Sequence, residues 1–448
     1  IDGDGKPEIV VATWFGKVWA WHTDGSVAAG FPVELDRDTV PVALDENHEL
    51  QDGFFASPAL VDLDGDGKLE IVAAGMDGKV YVWHGDGSRA ANFPIIVHDT
   101  TQTPAQRQRI MGSPTVGDLN KDGTPDIVVG TNENYSNVGR LYAIDGKSGA
   151  ILPGWPVSLV SNDILPVVGK GVPCSPAMVD VDGDGTPEVL VSGIGSVLHV
   201  FDASGKPFGP ALVNQKEKYG SKSNATNDSY VTVVASPAVG DLDNDGTPDL
   251  IEGGAGQDFV LAFASGSSRH DFEHLVGAWD AKTGKFKNGF PRVIEDWQFF
   301  DHPAVADLDG DGKPEVITPS AGYFVHAWNV DGKEPKGFPK YTGGWALSTP
   351  AVGDLDGDGK LELAQVTRNG WLFVWHTQGR AKGRIDWPSY HHDLANTGNF
   401  ATPLDEGARA SGGCGCRIAG APVSTPWVVI VTVALTLLLV QNRRRRWR

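Results

Sequence analysis

Asp62, Asp64, Asp66 and Glu70 stand at positions 1, 3, 5 and 9 of a nine-residue segment whose sixth residue is Gly67. Alternate acidic side chains on a tight loop converge on one point, and the glycine permits the turn that brings them together. Carboxylates held that close repel one another unless a cation joins them. A hard divalent ion seeking six to eight oxygens suits the set, with the carbonyl of Lys68 at position 7 as a further ligand. For a single copy, a solvated acidic turn is the competing account.

The segment recurs, which separates the two accounts. Positions 1, 3, 5, 7 and 9 are filled by Asp118, Asn120, Asp122, Thr124 and Asp126, then by Asp180, Asp182, Asp184, Thr186 and Glu188. They return as Asp241, Asp243, Asp245, Thr247 and Asp249, as Asp307, Asp309, Asp311, Lys313 and Glu315, and as Asp354, Asp356, Asp358, Lys360 and Glu362. The chain opens inside a further copy, with Asp2, Asp4, Lys6 and Glu8 at positions 3, 5, 7 and 9, so the rest of a first repeat and a secretion signal are expected upstream of Ile1. Lysine or threonine at position 7 implies that the backbone, not the side chain, serves there. An EF-hand is excluded: its bidentate Glu at position 12 is replaced by Ala73, and a β-rich run follows in place of a helix. The pattern predicts up to seven structural Ca²⁺ sites in β-hairpin loops.

The 448 residues carry a formal charge of −20 with pI about 4.9, an acidity largely gathered in these loops, which argues against nucleic acid as a partner. The 57 glycines and 29 prolines punctuate β-type runs, and three cysteines are too few for a disulfide framework. Cys174 reads as a small buried residue.

The elements that position the loops repeat with them. A small polar residue or His and then Pro precede each complete loop: Ser57-Pro58, Ser113-Pro114, Ser175-Pro176, Ser236-Pro237, His302-Pro303 and Thr349-Pro350. A short strand leads into the loop, a second leaves it, and a third follows a Gly-containing turn. A fourth is marked by an aromatic-Pro pair: Phe31-Pro32, Phe93-Pro94, Trp155-Pro156, Phe290-Pro291, Phe338-Pro339 and Trp387-Pro388, with the weaker Phe208-Gly209-Pro210 in one repeat. Four short strands per tandem unit predict an all-β, seven-bladed β-propeller over residues 1–400, with the first blade truncated. Trp21, Trp83, Ile144, Phe201, Trp279, Trp328 and Trp375 end the third strands, and their regularity predicts packing between blades. Insertions near 33–56, 95–112, 157–174, 209–235, 131–139 and 254–275 break the repeat and are expected on the face opposite the calcium hairpins. Residues 214–223 are polar enough to be expected mobile.

The chain to about residue 400 resembles the FG-GAP/VCBS-type repeats that build the calcium-bearing propeller heads of integrin α chains and many bacterial surface proteins. The resemblance implies calcium in the hairpins between first and second strands and recognition by the opposite face. It departs where Ser-Pro-Ala replaces Phe-Gly and Gly-Ala-Pro, so integrin ligand preference does not transfer. Trp387 to Gly398 resembles the terminal motif of bacterial propellers of this kind. Its paired histidines are read as part of a structural closing strand.

The remainder is organised differently: a linker at 401–420 with Cys414 and Cys416, an apolar stretch at 421–442 expected to form one transmembrane helix, and a basic cytoplasmic tail at 443–448. This layout resembles the MYXO-CTERM sorting tail of myxobacterial surface proteins, which implies a membrane anchor and processing at Cys414 or Cys416 by a sorting protease. The leading expectation is a non-enzymatic, cell-surface adhesion or recognition module binding an extracellular protein or glycan. The competing class is a carbohydrate-active or quinoprotein-like propeller enzyme. The turns at 141–149 and 278–285 are similar to quinoprotein blade motifs, and Asp296, Asp301 and His302 lie beside Trp297, Phe299 and Phe300. A third possibility is an accessory propeller to a catalytic domain upstream of Ile1.

Overall fold

A computed structural model describes residues 1–36, 53–99, 109–133, 138–160, 170–226, 229–258, 273–298 and 301–404, with residues 106, 107, 260 and 262. The expected linker and membrane span, with Cys414 and Cys416, lie outside them. Among the described residues no helix is long and apolar enough to cross a membrane. Among the described residues, helical backbone is confined to the short turn Lys216–Lys218 and to Gln257, Asp258, Val260 and Ala262.

Short runs rich in β-branched and aromatic residues, cut by glycine turns, form antiparallel strands. Each acidic loop joins two of them. In the second repeat Ala59–Val61 enters the loop and Glu70–Ala74 leaves it, with Leu60 opposite Ile71, and Lys79–Trp83 and Ile95–Ile96 complete a four-stranded sheet. The other loops join Thr115–Gly117 to Asp126–Gly130, Ala177–Val179 to Glu188–Ser192, Ala238–Gly240 to Asp249–Gly256, Ala304–Ala306 to Glu315–Pro319 and Ala351–Gly353 to Lys360–Val366. The first loop leads into Glu8–Ala12 and Lys17–His22. Among the described residues, seven sheets of three to five strands therefore carry one acidic loop each.

Consecutive sheets pack face to face. Val72, Val80 and Val82 of the second sheet share a core with Ile127, Tyr142 and Ile144 of the third, whose other face meets Met178, Val189 and Phe201 of the fourth. The fourth, fifth and sixth sheets share the largest core, and the sixth packs on the seventh through Ile317, Val325, Leu361 and Leu363. Trp83, Ile144, Phe201, Trp279 and Trp328 are buried between sheets as expected, whereas Trp21 and Trp375, in the first and last sheets, are half-buried. Burying an aromatic side chain of 150–250 Å² contributes up to about 4–6 kcal/mol at about 25 cal/mol per Å².

One segment touches the inner strands of six sheets. Ile385–Trp387 pairs antiparallel with Ala304–Ala306 of the sixth sheet, and Asp386 Oδ2 accepts the Asp241 amide of the fifth at 2.9 Å. The carbonyls of Pro388, Ala395, Thr397 and Gly398 then accept the amides of Val352, Leu60, Val116 and Met178, each at 2.8 Å. These four donors stand at the same place in their repeats, two residues before the first Asp of the loop. Equivalent strands meeting one segment must surround it, which is the radial arrangement of a β-propeller.

Two expectations are corrected here. Trp387-Pro388 does not mark a fourth strand of the seventh repeat. The chain turns inward after Leu372–Arg380, and Trp387 is fully buried in the shared core of the fourth to sixth sheets. Nor do residues 387–398 form a closing strand beyond Trp387: His391, His392 and Asn396 have left-handed backbone, and the run is a series of turns along the axis. Gly398 is required there, since its φ is +63° and a Cβ would lie 2.4 Å from His391 Nε2.

The segment 214–223 is also docked. Tyr219 packs edge-on against Phe286, Gly220 N–H donates to the Phe290 carbonyl, and Lys222 Nζ lies 2.6 Å from Asp331. Polarity suggested freedom, but these contacts hold the segment along the fifth sheet.

Candidate metal centres

The loops are folded by their own carboxylates. In the second sheet Asp62 accepts the amides of Gly65 and Gly67 at 2.7 and 2.9 Å, Asp64 that of Asp66 at 3.1 Å, and Asp66 that of Lys68 at 2.8 Å. Glu70 closes the hairpin by accepting Leu63 N–H at 2.8 Å. Asp180–Glu188, Asp307–Glu315 and Asp354–Glu362 repeat this set bond for bond. In the third and fifth sheets Lys121 and Asn244 take the left-handed position that glycine fills elsewhere, and Asp118 and Asp241 accept the following amide instead. Asn120 and Asp122 keep their roles, as do Asp126, Asp245 and Asp249, whereas Asp243 at position 3 is bonded by Lys287 Nζ at 2.8 Å. In the first copy Asp2 and Asp4 accept the amides of Asp4 and Lys6 in the same way, and the backbone nitrogen of Ile1 lies 2.6 Å from Glu8 Oε2. Position 7, whether Lys6, Lys68, Thr124, Thr186, Thr247, Lys313 or Lys360, donates its backbone N–H to position 5.

The position-1 aspartates spend both oxygens on backbone amides, whereas Asp64, Asp66 and Glu70 each spend one. Ligand atoms of Asp62, Asp64 and Asp66, and of Asp180, Asp182 and Glu188, lie within 4.8 Å of one another. The second oxygen at position 9 distinguishes the sheets. Asp126 Oδ1 and Glu315 Oε1 are buried with no hydrogen-bond partner, on residues that are 0% exposed. Burial, with neighbouring loop aspartates adding to it, pushes the Asp126 and Glu188 carboxyls up to about 7 and that of Glu315 up to about 8. A buried carboxylate oxygen facing other carboxylates, with nothing to pair it, fits a cation.

Sequence reading missed three histidines. His22, His84 and His376 place Nδ1 3.4, 3.2 and 2.8 Å from the second oxygens of Glu8, Glu70 and Glu362. The signal was present: each follows a third-strand Trp and lies 14 residues after its position-9 Glu.

At the other end of the axis the Ser/Thr-Pro motifs form a relay. Ser113 N–H donates to Ser175 Oγ at 2.9 Å, Ser175 N–H to Ser236 Oγ at 3.0 Å and His302 N–H to Thr349 Oγ1 at 2.8 Å. Tyr390 hydroxyl reaches Ser113 and Ser175 at 2.9 and 3.2 Å. His302 stacks near Tyr390, His391 and Trp387, and Asp301 is buried beside it. Asp296 accepts its own neighbour's amide, that of Trp297, which packs on His274. Phe299 and Phe300 lie outside the described residues. Asp145 and Asp280, in the quinoprotein-like turns, cap the amides of Ser148 and Thr283 at 2.6 and 2.7 Å. Cys174 is buried.

The turns on this end carry exposed aromatics that sequence reasoning did not single out. Tyr323 and Trp371 lie on the second-to-third-strand turns of the sixth and seventh sheets, Tyr341 ends the fourth strand of the sixth, and Trp345 follows in the connection, all more than one-third exposed. The Arg368 guanidinium sits 4.8 Å over Trp345.

The FG-GAP-like repeat family matches residues 62–129 and 307–364. Both stretches begin on the first Asp of a loop. Integrin alpha-7 of Mus musculus is 26% identical over 182 residues, 37% of this chain and 14% of the integrin. The chain thus matches about one-seventh of that relative's length. Among solved structures, the Pseudomonas aeruginosa PilY1 C-terminal domain aligns with TM-score 0.42 and 16% identity over 85% of this chain and 80% of its own. A quinohemoprotein alcohol dehydrogenase from Comamonas testosteroni gives TM-score 0.48 and 12% identity over 85% of this chain and 67% of its own. The chain carries FG-GAP-like repeats with homology to integrin α chains.

Proposed function

We propose that this chain is a calcium-stabilised, seven-bladed propeller that acts without catalysis as an adhesion or recognition module at the cell surface. The observation that carries the calcium part is the pair of buried, unpartnered position-9 oxygens, Asp126 Oδ1 and Glu315 Oε1, facing loop carboxylates already preformed by backbone bonds. Calcium supplies the missing positive charge and ties the first two strands of a sheet together. A ligand bound by the folded state alone stabilises it by about 2.7 kcal/mol per site at one hundred times its Kd. Chelation with EDTA should therefore lower the thermal midpoint by more than 10 °C, and an unmoved midpoint would refute structural calcium.

Recognition belongs to the opposite end. Tyr323, Tyr341, Trp345, Trp371 and Arg368 offer flat apolar surface with one cation, chemistry suited to an extracellular protein or a glycan. Homology to integrin α chains supports the same direction. Anchoring through 421–442 and processing at Cys414 or Cys416 complete the proposal and rest on the sequence of the tail. Screening against glycan and matrix-protein arrays tests the face. Binding that survives Trp345→Ala with Trp371→Ala would move the ligand elsewhere.

A further inference from the structure

The loop of the fifth sheet differs from the other six in what reaches it. Lys287, only 7% exposed, places Nζ 2.8 Å from Asp243 Oδ2 at position 3 and 3.0 Å from Asp249 Oδ1 at position 9. A second cation arrives from the axial approach: Arg384 Nη1 lies 3.4 Å from Asp241 Oδ2 at position 1 and 3.0 Å from Asn244 Oδ1 at position 4. Its Nε holds Asp386 at 2.8 Å, the residue whose other oxygen accepts Asp241 N–H. Three of this loop's four carboxylates thus have a protein cation within 3.4 Å. Asp249 Oδ1 and its sixth-sheet counterpart Glu315 Oε1 are both buried without a hydrogen bond, but among the described residues an ammonium lies beside the first, at 3.0 Å, and no lysine or arginine pairs with the second.

We infer that the fifth loop is a calcium-independent copy in which Lys287 and Arg384 together supply the two positive charges that an ion supplies elsewhere. An ammonium between positions 3 and 9 and a calcium ion bound by the same two carboxylates cannot share one space. The lysine comes from the strand-end turn after Phe286, where the corresponding residues of the first three sheets are Ala28, Ala90 and Leu152, each donating its amide to the third strand as Lys287 does. The inference rests on the calcium reading above and specifies which loop departs from it.

Counting ions tests it. The full chain is equilibrated in calcium, gel-filtered and assayed for calcium per protein by plasma mass spectrometry. Asp311→Ala, at exposed position 5 of the sixth loop, should lose one ion, whereas Asp245→Ala, its counterpart in the fifth, should lose none. Lys287→Met, which keeps the buried stem and removes the charge, should gain one. An equal loss in the two alanine variants overturns the inference and leaves the calcium reading standing, even if Lys287→Met fails to fold. A wild-type chain that retains no calcium overturns both.

Discussion

The acidic loops and the axial segment solve the same problem, how to hold seven sheets in place, in opposite ways. A loop acts within one sheet: its bonds span two to seven residues, and the same bonds recur from copy to copy. The axial segment acts between sheets: it never repeats, and its partners lie up to 338 residues away. Repetition fixes each unit but says nothing about how units are gathered. The gathering is left to one stretch that offers a carbonyl or a carboxylate to six of the seven sheets.

If that division is right, damage to the axis should cost more than damage to a loop. Trp387→Ala empties a fully buried site in the largest core and should destabilise by about 3–5 kcal/mol in urea unfolding, against about 1 kcal/mol or less for the surface substitution Lys313→Ala. Acid should act on the axis next. Burial holds His391 at about 4, although the Asn396 and Pro176 carbonyls oppose the shift. The unfolded chain protonates this imidazole near 6.5, so the contribution is full above 6.5 and fades as pH falls toward 4, by roughly 3 kcal/mol. His391→Gln should flatten that part of the pH–stability curve, measured by urea midpoints from pH 7 to 4. A single loop comes third: in calcium at one hundred times Kd, Asp311→Ala should cost about 2–3 kcal/mol, a difference that disappears in EDTA. The smallest effect belongs to the relay, where Ser175→Ala leaves the Ser113 amide unpaired and should cost about 1–2 kcal/mol by the same measurement. Should Asp311→Ala prove more damaging than Trp387→Ala, the loops and not the axis govern cohesion.

What sequence could disclose follows the same line. The spacing of Asp62, Asp64, Asp66, Gly67 and Glu70 placed every hairpin correctly, because the carboxylates bond the backbone of their own loop. Ser113, Ser175 and Ser236 were visible as a motif but not as a relay, since each bond joins residues about 60 apart. Lys287 and Arg384 gave no signal at all: one lies 44 residues from Asp243 and the other 140 from Asn244, and neither has a counterpart in another repeat. Trp387-Pro388 misled because an aromatic-Pro pair reports a local turn preference, while its neighbourhood is decided by burial among three sheets.

The position of the axial segment in chain order has a consequence for biogenesis. A ribosome releases the sheets first and the stretch that joins them last. Until residues 385–398 emerge, the inner-strand amides of Leu60, Val116, Met178 and Val352 face outward from unfinished edges, available to any extended chain nearby. Nascent intermediates stalled before Arg384 should therefore be the aggregation-prone species, and expression yield should depend on how quickly that last stretch arrives.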